Sequence, residues 1–408
     1  MLTAADLVEL HRKAFKPRER WTIGLEMEKM AVDARSGRPL PYDGAPASVR
    51  SVLVFLAAAR PSEPLFEDSN LIALAGEWGT ITLEPGGQVE WSSPPAQDLF
   101  TLERLLGEHI RILEQAAQTL GLRWLEVALQ PDAPLSSMPW MPKRRYRIMR
   151  EYFRSRGSLA HRMMTQTASI QVSLDYSDEA DWREKFRAGF YLAPIAVAAF
   201  ANSRRMEGRD TGYASFRSEI WRHTDDDRCG APPFVFQEEF GFEEWVGWVL
   251  DVPAMFTSRN GVLEPAGGVP FRQLLEKGLR GSPVTLSDWE LHLTEVFPET
   301  RAKTYVELRS ADLPPDDRLM AVPAFWTGLL SEEGTRSEAI DLLGWGRGSR
   351  PRYIEWLEAM KEASKNGLAG RIAGRPVAEL VRDAAGIARQ GLARIEPAAV
   401  RTLDALGG

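Results

Sequence analysis

Cysteine is nearly absent from this chain of 408 residues, with Cys229 the only one. A single thiol excludes an intramolecular disulfide and a cysteine-cluster zinc site. Long apolar runs are also missing. The longest, Tyr191 to Ala201, carries Pro194 and is about half of the ~20 residues that a membrane span needs. There is no excess of positive charge. Lys and Arg total 50 against 57 Asp and Glu, a net charge of -7, whereas a nucleic-acid partner wants a basic face. The N-terminal Met1–Leu7 lacks a basic stretch followed by an apolar one. These absences predict a cytoplasmic protein without membrane or nucleic-acid partners. The five histidines (His11, His109, His161, His223, His292) show no metal-pair spacing. Neither a Walker-type G-x-x-x-x-G-K-[ST] nor a G-x-G-x-x-G occurs. The glycines at Gly344, Gly346 and Gly348 have the wrong spacing and read as a loop. A G-x-S-x-G elbow is absent too, so nucleophilic hydrolase readings fall behind.

What is present is an ordinary globular composition, 44% hydrophobic and 26% charged. Without a convincing linker or repeat, residues 1–408 read as a single catalytic domain whose 350–408 part is mainly helical. Helical periodicity is clear over 3–15, 101–120, 243–250, 353–363 and 377–395. Short β-rich runs bounded by turn residues predict strands at 22–32, 81–84, 88–92, 169–175 and 304–309. Strands separated by long helical stretches, without a regular βαβ rhythm, indicate an α+β fold on a largely antiparallel sheet.

Residues i, i+2 and i+4 of a strand share a face. In five strands that rule separates an apolar set from a polar one. Glu26 and Glu28 oppose Ile23, Leu25 and Met27, while Thr82 and Glu84 oppose Ile81 and Leu83. Gln88 and Glu90 oppose Val89 and Trp91. Ser169, Gln171, Ser173 and Asp175 share a face, as do Tyr305, Glu307 and Arg309. One such strand alone reads as an amphipathic sheet with one solvated face. Five faces rich in Glu, Gln and Ser and nearly free of Lys point to a site. Two carboxylates ~5 Å apart repel by roughly 3 kcal/mol at an effective dielectric near 20, so adjoining strands would need cations. All-oxygen donors select magnesium or manganese rather than zinc, which implies metal-assisted phosphoryl transfer on an open sheet face. A second polar run, Ser215 to Arg228, reads equally well as a solvated loop or as an arginine site for carboxylate or phosphate.

Several motifs resemble the plant-type glutamate–cysteine ligase family, also found in bacteria. They are Ile23-Gly24-Leu25-Glu26-Met27-Glu28-Lys29, Thr82-Leu83-Glu84-Pro85-Gly86-Gly87-Gln88-Val89-Glu90, Met163-Met164 and Gln171–Asp175. Ala201-Asn202-Ser203, Ile220-Trp221, Tyr305–Arg309 and Pro323–Trp326 continue the likeness in order, from about residue 20 to about residue 395. The resemblance implies a glutamine-synthetase-like fold, a curved antiparallel sheet backed by helices with substrates on its open face. It also implies that ATP phosphorylates the side-chain carboxylate of glutamate and that the cysteine amine attacks, giving γ-glutamylcysteine for glutathione synthesis. On the same basis Glu26, Glu28, Glu84, Glu90 and Glu307 would hold magnesium, with Glu26, Glu84 and Arg309 catalytic. Ser169, Gln171 and Arg309 would meet ATP. Arg217, Trp221, Arg228 and Met164 would meet substrate, and Trp248 would stand in the acceptor pocket where plant members carry Tyr. Those members have Arg at Gln166 and Asn at Ser173. The implied partners are glutamate, cysteine and ATP, acted on by a monomer or homodimer. The alternatives are a γ-glutamyl ligase for another amine, a phosphotransferase of the same fold, and a silent binding protein.

Overall fold

The computed structural model describes residues 2–345 and 350–406. Gly346 and Gly348 of the predicted glycine loop lie outside the described residues. Among the described residues the main sheet has eight strands: β1 (Ile23–Lys29), β2 (Glu63–Glu67), β3 (Asn70–Gly76), β4 (Gly79–Leu83), β5 (Val89–Ser92), β6 (Ile170–Leu174), β7 (Thr300–Ala302) and β8 (Val306–Leu308). Their spatial order is β7-β8-β6-β1-β5-β4-β3-β2, with every neighbouring pair antiparallel. The predicted antiparallel α+β architecture is what the chain adopts.

The helices that bear on the site are α1 (Leu99–Leu120), α2 (Arg144–Tyr152), α3 (Ala160–Gln166), α4 (Glu179–Ala199), α5 (Phe216–Arg222), α6 (Phe242–Asp251), α7 (Ala321–Leu330), α8 (Tyr353–Asn366) and α9 (Val377–Ile395). α1 starts where the Asp98 side chain accepts the Thr101 amide, and it stops at Gly121, whose φ of 70° suits glycine. α4 contains the apolar run around Pro194, and nearly all of it is buried. A helix apolar on all sides belongs inside a core, which is why this run reads as neither a surface helix nor a membrane span. No helix among the described residues is long and apolar enough to cross a membrane.

β1 shows how the sheet divides its two sides. Ile23, Leu25 and Met27 are buried against α1 and α7, while Glu26 and Glu28 alternate onto the other face. Trp91, Ile81, Val172 and Leu308 extend the apolar side along the neighbouring strands. The apolar side joins one continuous core with α4, α8 and α9. Burying each large aliphatic side chain there contributes about 1.5–3 kcal/mol. The strands β2, β3 and β7 were not legible in the sequence. β2 is an exposed edge strand, so it has little of the alternation that marks a half-buried strand, and β7 is three residues long.

Candidate active site

Strand register brings the predicted carboxylates together. Glu28 lies directly opposite Glu90, which lies opposite Thr82 on its other side. Glu26 faces Gln171 across the β1–β6 pair, and Glu307 faces Ser173. Glu84 sits just beyond β4, in the turn Glu84–Gln88. Gly87 there has a φ of 88°, and a Cβ on Gly86 would stand 2.2 Å from the Thr165 carbonyl oxygen. The Gln88 side chain ties that turn to the end of α3, donating to the Thr167 carbonyl at 2.8 Å. The turn therefore needs both glycines, and it fixes Glu84 against α3.

Over this face lies a cavity of about 290 Å³. Glu26, Glu28, Glu84 and Glu90 line one wall, with Ser169, Gln171 and Met164 beside them. Arg217, Trp221 and Arg309 line it from α5 and the end of β8. Most of the predicted set thus converges. Four cations that the strand-face argument did not select converge as well: Lys143, Arg145, Arg301 and Lys303. Arg301 and Lys303 flank Ala302 with period two, a signal hidden because β7 is so short. Lys143 and Arg145 belong to the basic run at the start of α2, which alone reads as a solvated helix end.

The carboxylates are held apart by separate donors. The Ser169 amide donates to Glu28 Oε2 at 2.8 Å, the Thr82 hydroxyl to Glu90 Oε1 at 2.7 Å, and the Tyr146 hydroxyl to Glu84 Oε1 at 3.3 Å. Each leaves one oxygen free. Burial, then mutual repulsion, raises their carboxyl pKa values. Glu26 rises to about 7 beside Glu307 and Glu90, and Glu90 rises to about 7 beside Glu84. Glu28 is pushed well above the ordinary value by burial, Glu90 and Glu84. Burial also raises Glu84, although Lys143 and Arg145 oppose it. Among the described residues, no three His, Cys, Asp or Glu groups are arranged to hold a metal ion by protein donors alone. Of the five predicted ligands, Glu26, Glu28, Glu84 and Glu90 share the cavity wall and Glu307 does not.

Glu307 is the clearest departure. It is fully buried and absent from the cavity wall. Its Oε2 accepts from Arg301 Nε at 2.6 Å and Arg309 Nη1 at 3.0 Å, and its Oε1 accepts from Lys303 at 3.1 Å. Burial alone would raise its pKa, but these three cations hold it well below the usual range. With both oxygens engaged, Glu307 anchors cations rather than facing a ligand. Arg309 also donates to Gln171, so its guanidinium is fixed at the cavity edge.

Two further expectations are corrected. Arg228 is fully buried, pairs with Asp225 at 2.7 Å and donates to Tyr152, Glu295 and Pro253. Its donors are spent inside the protein, so it is a structural arginine. Trp248 lies on α6, packs on Trp245 with ring centroids 5.5 Å apart, and does not line the cavity. By contrast, Arg217 meets Asp312 only at 3.7 Å, and its Nε has no partner.

This arrangement agrees with what the chain resembles. Glutamate-cysteine ligase family 2 (GCS2) matches residues 22–401. The chain belongs to that family. It is 40% identical over 396 residues to the chloroplastic glutamate–cysteine ligase of Brassica juncea, covering 96% of this chain and 76% of the relative. The chloroplastic ligase B of Oryza sativa subsp. japonica is 42% identical over 344 residues, covering 84% and 68%. A crystal structure of a glutamate–cysteine ligase from Francisella tularensis with AMP shares the fold, with a TM-score of 0.56 at 9% identity, covering 96% of this chain and 82% of that one. The glutamine-synthetase-like architecture and membership of an ATP-dependent ligase family stand. The cytoplasmic expectation does not. These plant relatives are chloroplastic.

Proposed function

We propose that the chain is an ATP-dependent glutamate–cysteine ligase that works through a γ-glutamyl phosphate, as one catalytic unit in a monomer or homodimer. The observation that carries this is the two-sided cavity, with carboxylates on the sheet and cations from α2, α5, β7 and β8 around them. Phosphoryl transfer needs charge stabilisation and positioning more than covalent chemistry. Arg309 and Arg301, aimed by Glu307, offset charge on the phosphates, and Lys143 and Arg145 do so from the facing wall.

Magnesium fits the donor set. Glu28, Glu84 and Glu90 each keep a free oxygen toward the cavity, and magnesium is usually held by one or two carboxylates plus substrate phosphates. When bound, magnesium would neutralise phosphate charge. Glu26 has no hydrogen-bond donor of its own among the described residues and is suited to the same role. Arg217 binds an anionic group of glutamate with the planar fork that Lys lacks. Trp221 packs beside it, and Met163 and Met164 give a soft apolar wall for the cysteine side chain. Gln171 and Ser169 meet the nucleotide.

A γ-glutamyl ligase for another amine remains the second reading, because Trp248 lies outside the cavity. The test is phosphate release from ATP with magnesium, glutamate and a panel of amines, reading products by mass. Release that requires glutamate and an amine, with cysteine preferred, supports the proposal. Release with glutamate alone, without a ligated product, contradicts it.

A further inference from the structure

Asp312, just past the end of β8, is 1% exposed. Both of its oxygens are engaged by donors from distant parts of the chain. Oδ2 accepts from the Asn202 amide at 2.8 Å and from the Ser203 hydroxyl at 2.6 Å, and Oδ1 accepts from the Ser215 hydroxyl at 3.0 Å. Each serine passes the connection on to α5. The Ser203 oxygen accepts the Arg217 amide at 3.0 Å, and the Ser215 oxygen accepts the Ser218 amide at 3.3 Å as the cap of that helix. A serine hydroxyl has one proton to give and lone pairs to accept with. By taking the proton of both hydroxyls, the carboxylate fixes both as acceptors toward α5.

The helix needs such a tether. α5 has 7 residues, and isolated helices below about 12 residues are marginal. Arg217 lies in its first turn and has two further ties. Its Nη2 donates to the Arg309 carbonyl at 3.2 Å, and its Nη1 lies 3.7 Å from Asp312 Oδ1. Burial raises the Asp312 carboxyl pKa, and the Arg217 charge is the largest influence opposing that rise. Asp312 thus acts on the arginine twice, through the backbone by way of the two serines and through the charge of the guanidinium.

We propose that Asp312 is a positioning residue for Arg217 and sets the affinity for glutamate without touching it. This rests on the ligase reading above, in which Arg217 binds an anionic group of glutamate, and it names the group that aims that arginine. Asn is the informative replacement. It keeps the shape and one oxygen for the Asn202 amide and the Ser203 hydroxyl. It also turns an amide donor toward the Ser215 hydroxyl and removes the counter-charge of Arg217. The backbone of Asp312 bridges to Ser169, a contact that a change of side chain leaves in place, so the nucleotide side of the cavity is an internal control.

The test compares wild type, Asp312→Asn, Arg217→Lys and the double variant by steady-state kinetics and by calorimetric binding of glutamate. Asp312→Asn should raise KM and Kd for glutamate roughly 10-fold, the scale of one lost hydrogen bond to a charged group. KM for ATP and kcat should stay within about twofold of wild type. In the Arg217→Lys background the same change should add less than about twofold, because a residue that acts through another is not additive with it. A merely structural aspartate would move KM for ATP along with KM for glutamate, or would multiply with Arg217→Lys, and either result overturns the proposal. An unchanged KM for glutamate in Asp312→Asn overturns it as well, as does a wild-type KM in Arg217→Lys, which would leave no contact to aim. If Asp312→Asn fails to fold, Ser203→Ala decides, since it removes only the acceptor of the Arg217 amide. That variant should raise KM for glutamate about threefold and add nothing to Arg217→Lys; no rise, or a full multiplication, refutes the positioning role. Wild type that neither binds nor turns over glutamate would count against the ligase reading instead.

Discussion

Replacing Glu90 by Gln should stabilise the ligand-free protein while disabling it. Glu90 stands opposite Glu28 in the register, and burial first and the nearby Glu84 second make its charge costly. At ~5 Å and an effective dielectric near 20, one such repulsion is worth about 3 kcal/mol. Gln keeps an oxygen to accept from the Thr82 hydroxyl, which now reaches Glu90 at 2.7 Å, so no buried donor is orphaned. With an unfolding entropy of about 2.1 cal/mol/K per residue, the gain over this chain amounts to roughly 3 °C in Tm. The sign depends on pH. Glu90 titrates near 7 in the folded protein against an ordinary value of 4.5. The folded form therefore holds the proton more tightly, and the penalty for ionising grows as pH rises from 4.5 through 7. The gain should be full at pH 8 and vanish at pH 4.5. Calorimetric melts of wild type and variant at both pH values measure it, and turnover with saturating ATP and magnesium should fall roughly 100-fold. A variant that melts below wild type at pH 8, or that keeps its turnover, refutes the carboxylate cluster as a metal-facing site under repulsion.

The two arginines should separate by phenotype. Arg228→Lys leaves Asp225, Tyr152 and two carbonyls short of donors and should lower Tm, whereas Arg217→Lys should raise KM for glutamate at nearly unchanged Tm. Equal KM effects without a Tm loss in Arg228→Lys would return Arg228 to the substrate. Trp248→Phe should leave KM for cysteine within twofold of wild type, because the ring packs on Trp245 outside the cavity; a large change there would place it in the acceptor site.

Period-two alternation exposed the polar face of β1, β4, β5 and β6 and thus four carboxylates, because a half-buried strand imprints its two environments on alternate residues. It did not show that Glu307 faces inward to three cations, because Arg301 comes from a neighbouring strand too short to carry a pattern and Lys303 lies just past its end. Nor could the Ser215–Arg228 run distinguish Arg217 from Arg228. Their difference lies in contacts with Asp312, Asp225 and Tyr152, two of them distant in sequence. Trp248 followed from likeness to relatives rather than from any local signal, and the packing of α6 removes it.

The central claim is that ATP activates a glutamate side-chain carboxylate in this cavity before an amine attacks. Glutamate labelled with oxygen-18 in that carboxylate tests it directly. Turnover with ATP, magnesium and cysteine should move one label into the released phosphate for each γ-glutamylcysteine formed, seen by mass spectrometry. Ligated product accompanied by unlabelled phosphate would contradict the acyl phosphate and the account built on it.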